Sequence, residues 1–361
     1  MKIFVYDEFS PEDMAMLQAL YSRSALSVEE HTEKVRASGS GKFMERYYVG
    51  YGHASIADCG STTMFFESVS MLAAKAIQDW ALYSGQETSS RYIDMSKQAR
   101  VDPVGTLESK EIQEKWMRFY TDNQERVENH LRKKYPRKAD EDEGVYGRAI
   151  KARVFDSLRA FLPAGITTQL SWHSNLRQAW DKIALLRYYP LAEVREIAAT
   201  VHEKLKKKYA HSFGHKLYEA QEAYWKMVGE DYTYHKEKNY SGDFSFHTNI
   251  EHKNLEPYRE LFQKRPAKTN LPHFVTDVGQ VTFEFLIDFG SFRDIQRHRN
   301  GVCRMPLLTT EYGFEEWYLE QLPADLRTEA EALIDEQKKA IAELLCSPEE
   351  KQYYIAMGFN V

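Results

Sequence analysis

Arg297-His298-Arg299 puts three hydrogen-bond donors in a row at the end of a predicted helix. A guanidinium offers a planar fork of donors that suits phosphate oxygens and pyrimidine carbonyls. Successive helix positions point about 100° apart, so one such triplet can serve two ligands or two subunits. A second group, Ser84-Gly85-Gln86-Glu87-Thr88-Ser89-Ser90-Arg91-Tyr92, gathers an amide, a carboxylate, hydroxyls and an arginine in one small-residue loop. Gly85 and the serines permit close backbone approach, and Arg91 supplies an anion contact. That inventory suits a nucleotide phosphate and the edge of a uracil ring. Taken singly, a basic triplet is an ordinary solvated helix end and a serine-rich turn is equally ordinary. Their shared context separates them from that background.

The two groups lie in segments that echo each other. Setting Ile77-Gln78 on Ile295-Gln296 puts Phe65 on Phe283 and Asp79, Trp80 and Ala81 on Arg297, His298 and Arg299. Further on, Gln352-Tyr353-Tyr354-Ile355-Ala356-Met357-Gly358 falls where the first segment reads Arg159-Ala160-Phe161-Leu162-Pro163-Ala164-Gly165. This is a tandem duplication, not a short solenoid period. Residues 1–215 make a first unit, 216–245 a connector, and 246–361 a second, truncated unit with no counterpart of the helices predicted at 173–209. The apolar ending Met357-Gly358-Phe359-Asn360-Val361 leads us to expect a piece of something longer.

The elements that must position these groups follow from caps and periodicity. Met1 to Tyr6 reads as a strand, and Ser10-Pro11-Glu12-Asp13 opens a helix with a cap, a first-turn proline and two acids. A bend over Ala37 to Lys42 precedes a helix ending near Tyr48. Tyr51-Gly52-His53-Ala54-Ser55 is a loop leading into an aromatic strand through Phe65 and Phe66, then a helix over 70–81. One long charged helix is expected over 109–134, a break at 135–145, and further helices over 146–161, 173–188 and 191–209. A Tyr-rich connector with a helical start covers 219–246. Val281 to Ile287 is a strand, and 289–299 a helix.

Composition excludes several classes. The 361 residues are 43% hydrophobic and 28% charged, as in an ordinary globular protein long enough for two domains. The net charge of −6 argues against a nucleic-acid coat. No apolar run approaches about 20 residues, so no membrane span is expected. Cys59, Cys303 and Cys346 are too few and too scattered for a disulfide framework, which fits a reducing cytoplasm. His211 and His215 have the spacing of a metal pair but no third ligand, so no metal is expected. Cys303 beside Arg304 reads as a packed residue, and Gly39 and Gly41 lack the strand–helix context of a dinucleotide loop.

Gly52-His53-Ala54-Ser55, the aromatic strand, the helix and Ser84 through Tyr92 together resemble the flavin-dependent thymidylate synthases, the ThyX family. That family's signature is Arg-His-Arg followed by a loop ending Glu-Leu-Ser-x-Arg-Tyr. The first unit keeps Ser84, Glu87, Ser89, Arg91 and Tyr92 at the family's spacing but has Asp79-Trp80-Ala81 in place of Arg-His-Arg. The second keeps Arg297-His298-Arg299 and loses the loop, with Thr309 or Glu311 where its arginine belongs. Arg159 before Leu162-Pro163, Asn175-Leu176-Arg177 and Arg187 extend the likeness.

The resemblance implies an α+β fold, a ThyX-like mixed sheet with long helices. It implies reductive C5-methylation of dUMP to dTMP, with carbon from methylenetetrahydrofolate and reducing equivalents from NADPH through FAD. By analogy Gln86, Glu87, Ser89, Arg91, Arg159 and Arg187 hold the pyrimidine nucleotide, with Ser89 and Arg91 closest to the chemistry. His53, Ser55, Asn175, Arg177, Arg297, His298 and Arg299 face the flavin. The family's sites lie between subunits, so a homo-oligomer is expected, with each half of a divided site supplied across a subunit or repeat interface. Two other readings stay open at this point: a non-catalytic nucleotide- or flavin-binding subunit, and an enzyme acting on another pyrimidine nucleotide.

Overall fold

A computed structural model describes residues 8–24, 26–236, 244–299 and 301–361. The strand expected at Met1 to Tyr6 lies outside them. The chain forms two compact units. One is built from the chain up to Lys236 together with Asp288–Val361, the other from the stretch that ends at Ile287.

The larger unit combines many helices with one small sheet, in agreement with the α+β expectation. It begins with α1 (Pro11–Tyr21) and α2 (Val28–Ser38), each capped by a serine whose side chain accepts a backbone N–H. Such a cap contributes about 1 kcal/mol. A π-helical turn, Met44–Gly50, leads to the short helix Ala54–Ala57 and then β1 (Ser61–Ser70). Ser70 turns the chain from β1 into α3 (Met71–Gln78). Its hydroxyl accepts from the Ala73 amide and donates to Glu193 at 2.6 Å. Every residue of α3 is buried, Lys75 included.

Three helices follow: α4 (Leu107–Asp122), α5 (Gln124–Lys134) and α6 (Glu143–Leu158). The single helix expected over 109–134 is therefore two. Asn123 divides them, its amide donating to the Phe119 carbonyl at 3.0 Å in place of the regular ladder. The helix expected over 173–188 also starts later. Residues Thr167–Asn175 form β2, and α7 (Leu176–Leu186) begins only after Asn175 caps it. The strand signal was an alternation, with Leu170, Trp172 and Ser174 buried and Gln169 and His173 exposed. Beyond them lie α8 (Ala192–Lys208) and α9 (Glu219–Tyr232), and after the smaller unit α10 (Phe289–Gln296) and α11 (Ala324–Glu343).

β1 and β2 pair antiparallel from Ser61↔Asn175 to Ser70↔Thr167. Between Phe66 and Val69 the first strand carries one extra residue, and Ser68 takes the left-handed conformation (φ 58°) that such a bulge needs. The outer edge of β2 receives the loop that follows α3, through Ser84↔His173 and Glu87↔Leu170.

The final residues bind the larger unit together. Leu162-Pro163-Ala164-Gly165 pairs antiparallel with Ile355-Ala356-Met357-Gly358, and the hydrogen bonds are reciprocal. Ala164 N–H donates to the Ile355 carbonyl, and Met357 N–H to that of Leu162; Gly165 donates to Tyr353, and Gly358 to Ala160. Adding 193 to the first partner of each bond gives its mate, and Pro163 pairs with its own counterpart Ala356. Such a pattern, in which i meets j and j meets i, is that of an isologous two-fold contact. Phe161, Phe314 and Phe359 pack beneath it with ring centroids 5.1 and 5.3 Å apart, and the Trp116 indole donates to the Tyr354 carbonyl at 3.0 Å. Along the flank Lys115 of α4 ties to Glu336 of α11 at 2.7 Å.

In the smaller unit β3 (Ser245–Thr248) and β4 (Val281–Glu284) pair antiparallel. Phe244, Phe246, Phe283 and Phe285 stack along this ribbon, and Tyr258 packs on Phe274.

Candidate active site

The two groups with which the sequence reading began meet. Because residues 84–88 run extended against β2, Gln86 and Glu87 point to opposite sides. Glu87 turns inward and Gln86 stays exposed. Against Glu87 stands the C-terminal half of α10. That helix is fixed at its start, where Asp288 accepts from the Ser291 amide and from the Tyr318 hydroxyl, and the Phe289 and Gly290 amides donate to the carbonyls of Phe359 and Met357.

The Glu87 carboxylate, with a side chain only 1% exposed, is held by Arg293, by Arg297 at 3.5 Å and by the Gln78 amide at 2.8 Å. Arg159, buried at the turn after α6, pairs with Asp156 at 3.1 Å and reaches Asp294 at 3.4 Å. Asp294 also pairs with Arg297. Together with Ser89, Ser90 and Arg91, the side chains of Glu87, Arg159, Arg293, Asp294 and Arg297 line one cavity of about 20 Å³, floored by Gly290 and Met357. That is room for about one water molecule. Four arginines face two carboxylates among the lining residues, so the cavity carries a positive excess. An entering anion competes with Asp294 for the guanidinium donors of Arg159 and Arg297.

Proton affinities follow from this crowding. Burial lowers the Arg297 guanidinium; Glu87 opposes that, and Arg293, Arg91 and Arg159 add to it. Burial also works against the charge of Arg159, but Tyr318 and Asp156 outweigh it and raise the group. The Tyr83 hydroxyl donates to the Ser171 carbonyl at 2.6 Å. Burial and Glu87 push it up to about 12, while Arg297 and Arg299 pull the other way.

The remaining expected site residues fall elsewhere. His298 and Arg299 follow the end of α10, both exposed, with Arg299 at φ 56°. Arg187 ends α7, its guanidinium 3.4 Å from Glu222 and over the Trp180 ring. His53, Ser55, Asn175 and Arg177 form a separate group at the Asn175 end of β2. Five strand residues separate Asn175 from Leu170, about 17 Å. There Arg177 pairs with Asp58 at 2.8 Å, and Asn175 accepts from the Gln178 amide. The His53 ring lies over Tyr47 and Tyr51, with Arg46 above both tyrosines. An exposed aromatic stack with an arginine beside it can pack against a flat heteroaromatic ring. Sequence reasoning missed Arg293, Asp294 and Asp156. Arg293 had a signal: it lies four residues before Arg297, on the same helix face, and superposes on Lys75 in the repeat. Among the described residues no His, Cys, Asp or Glu cluster could hold a metal, and no helix is long and apolar enough to cross a membrane.

A family model described as Thy1, thymidylate synthase complementing protein, matches residues 6–209, more than half of the chain. The chain belongs to the Thy1 family. This is the family that its motifs resemble. The Thy1 match ends before Arg297-His298-Arg299. Curated relatives include a UPF0159 protein of Chlamydia pneumoniae, 24% identical, with 96% of this chain and 77% of that protein aligned. One from Chlamydia muridarum is 26% identical over 88% and 71%. Solved Thy1-like structures include a UMP/dUMP methylase, PolB, from Streptomyces cacaoi bound with 5-Br dUMP. It is 16% identical, with TM-score 0.37, covering 57% of this chain and 90% of that one. The flavin-dependent thymidylate synthase ThyX of Helicobacter pylori, complexed with FAD and dUMP, is also 16% identical, with TM-score 0.34, covering 56% and 94%.

Proposed function

We propose that this Thy1-family chain is a flavin-dependent thymidylate synthase-like methyltransferase. It converts dUMP, methylenetetrahydrofolate, NADPH and a proton into dTMP, tetrahydrofolate and NADP⁺. The observation that carries this reading is the single cavity lined by Glu87, Ser89 and Arg91 from one side and Arg293 and Arg297 from the other, with Arg159 between them.

Each residue then has a task. Arg91 and Arg159 neutralise the nucleotide phosphate, and the Ser89 hydroxyl adds a hydrogen bond. Arg297, expected at the flavin, lines the same cavity as Arg91, and we assign it to the nucleotide. Fixed cations here stabilise electron density that builds on a pyrimidine oxygen. Glu87 is saturated by protein donors, so its part is to position Arg293 and Arg297. FAD, when bound, supplies the redox chemistry that turns a methylene into a methyl group. His53, Ser55, Asn175 and Arg177 would hold it, with His298 and Arg299 towards the solvent. Since that group and the cavity are separated along β2, we propose a homo-oligomer in which one chain's flavin residues serve another chain's nucleotide. The three free cysteines agree with a cytoplasmic enzyme. Arg187, held by Glu222, contributes only if that pair opens.

Colour is the test. Purified protein should carry a flavin spectrum, bleach with NADPH, reoxidise in air, and form dTMP from dUMP and methylenetetrahydrofolate. A colourless protein that binds dUMP but not FAD would make the chain a binding subunit and end the enzymatic reading.

A further inference from the structure

We propose that each chain takes up one nucleotide, not two, because the cavity at Glu87–Arg91 has a pseudo-two-fold mate that Tyr234 fills and carboxylates guard. This rests on the nucleotide reading and on the duplication. A shift of 218, which carries Ile77 to Ile295, takes Glu87, Ser89 and Arg91 to Met305, Leu307 and Thr309. The reverse shift takes Arg293, Asp294 and Arg297 to Lys75, Ala76 and Asp79. The shift of 193 takes Arg159 to Gln352 and Asp156 to Glu349.

These counterparts also meet. Cys303, just before Met305, feels both Asp79 and Lys75. The Gln352 side chain accepts from the Leu308 amide at 3.0 Å. Into this second place the end of the α9 segment inserts. The Tyr234 hydroxyl meets the Gln352 amide nitrogen at 2.8 Å, and the His235 amide donates to the Met305 carbonyl at 2.8 Å. Burial and Tyr189 raise the Tyr234 phenol, while Lys75 lowers it. Through Tyr234 and His235 the segment thus meets the equivalents of Arg159 and Glu87.

What remains beside the plug is an open pocket of about 300 Å³. Its lining includes Glu230, Asp231, Glu311 and Glu349 against a single lysine, Lys236. That field repels a phosphate, and the place of Arg91 is taken by neutral Thr309. Of the first cavity's four arginines, Arg293 alone has a cationic counterpart, buried Lys75, and Asp79 pairs with it at 3.4 Å. The duplication thus left one anion site of mixed parentage and put a tyrosine and an acidic pocket where the other would lie.

The test is a calorimetric titration of the full FAD-loaded protein with dUMP, in wild type, Arg91→Ala and Tyr234→Phe. We expect one dUMP per chain, about 10–100-fold weaker in Arg91→Ala, the range for losing a charge-assisted hydrogen bond. Tyr234→Phe should bind within about 2-fold of wild type. Should Arg91→Ala not fold, Arg91→Gln reads the same contact. Two dUMP per chain, or one equivalent that survives Arg91→Ala at wild-type affinity, would overturn the single-site inference while leaving the nucleotide reading intact. No dUMP binding by the wild type would remove the nucleotide reading, and this inference with it.

Discussion

Glu87→Gln keeps the shape of the residue at the centre of the site and removes its charge. The Arg293 side chain is 7% exposed and that of Glu87 1%, so water screens their pair very little. Arg297 is 36% exposed, and its share is discounted for solvent screening. Removing one partner of a buried ion pair costs roughly 3–5 kcal/mol, because the other charge is left uncompensated. A glutamine retains an acceptor for the same donors, which places the expected loss at the lower end, about 3 kcal/mol. Replacing both partners tells more. Glu87→Gln with Arg293→Met removes the stranded charge, so the double variant should recover about 2 kcal/mol relative to the sum of the single losses. Urea denaturation of the four proteins at neutral pH measures this coupling directly. A loss below about 1 kcal/mol in Glu87→Gln, or simple additivity, would refute the claim that this carboxylate locks the two arginines.

Two further outcomes follow from other parts of the structure. Burial, countered by Asp79 and reinforced by Lys75, lowers the Lys182 ammonium to about 8. An unfolded lysine titrates near 10.4, so between these values the unfolded chain binds more protons and stability rises with pH. The stability of the wild type relative to Lys182→Met should therefore grow by up to about 3 kcal/mol from pH 7 to pH 10; a flat difference contradicts the buried-charge reading. At the reciprocal contact, a Cβ on Gly165 would stand 2.6 Å from the Tyr353 carbonyl oxygen and 2.8 Å from that of Val101. Gly165→Ala should accordingly cost about 1–3 kcal/mol in the same urea assay, and an unchanged midpoint would show that the contact can relax.

Much of this was legible in the residues, and what was not has physical reasons. The helix cap at Ser10 and the apolar run of α3 are local signals, and they placed those elements. β2 was hidden because Thr167–Asn175 leads straight into α7, and the apolar helix pattern spread backwards over the strand. Asn123 broke the helix through a side-chain bond that periodicity does not register. At the site, Arg91, Arg159 and Arg297 were named as candidates from motifs, but Arg297 was given to the flavin. Its place beside Glu87 depends on the pairing of Leu162–Gly165 with Ile355–Gly358, a contact across 193 residues that no local pattern encodes. The same contact brings Arg293 and Asp294 to Glu87. Gln86 was placed with Glu87 by analogy to the family; the extended backbone sends these two side chains to opposite faces.

The central claim is that the first repeat's loop and the second repeat's helix make one anion site. The most direct measurement is the dUMP affinity of Arg297→Ala beside the wild type. The account predicts about 10–100-fold weaker binding, as for any lost charge-assisted hydrogen bond. An unchanged dUMP affinity would show that the helix carrying Arg297 takes no part in holding the nucleotide, and would contradict it.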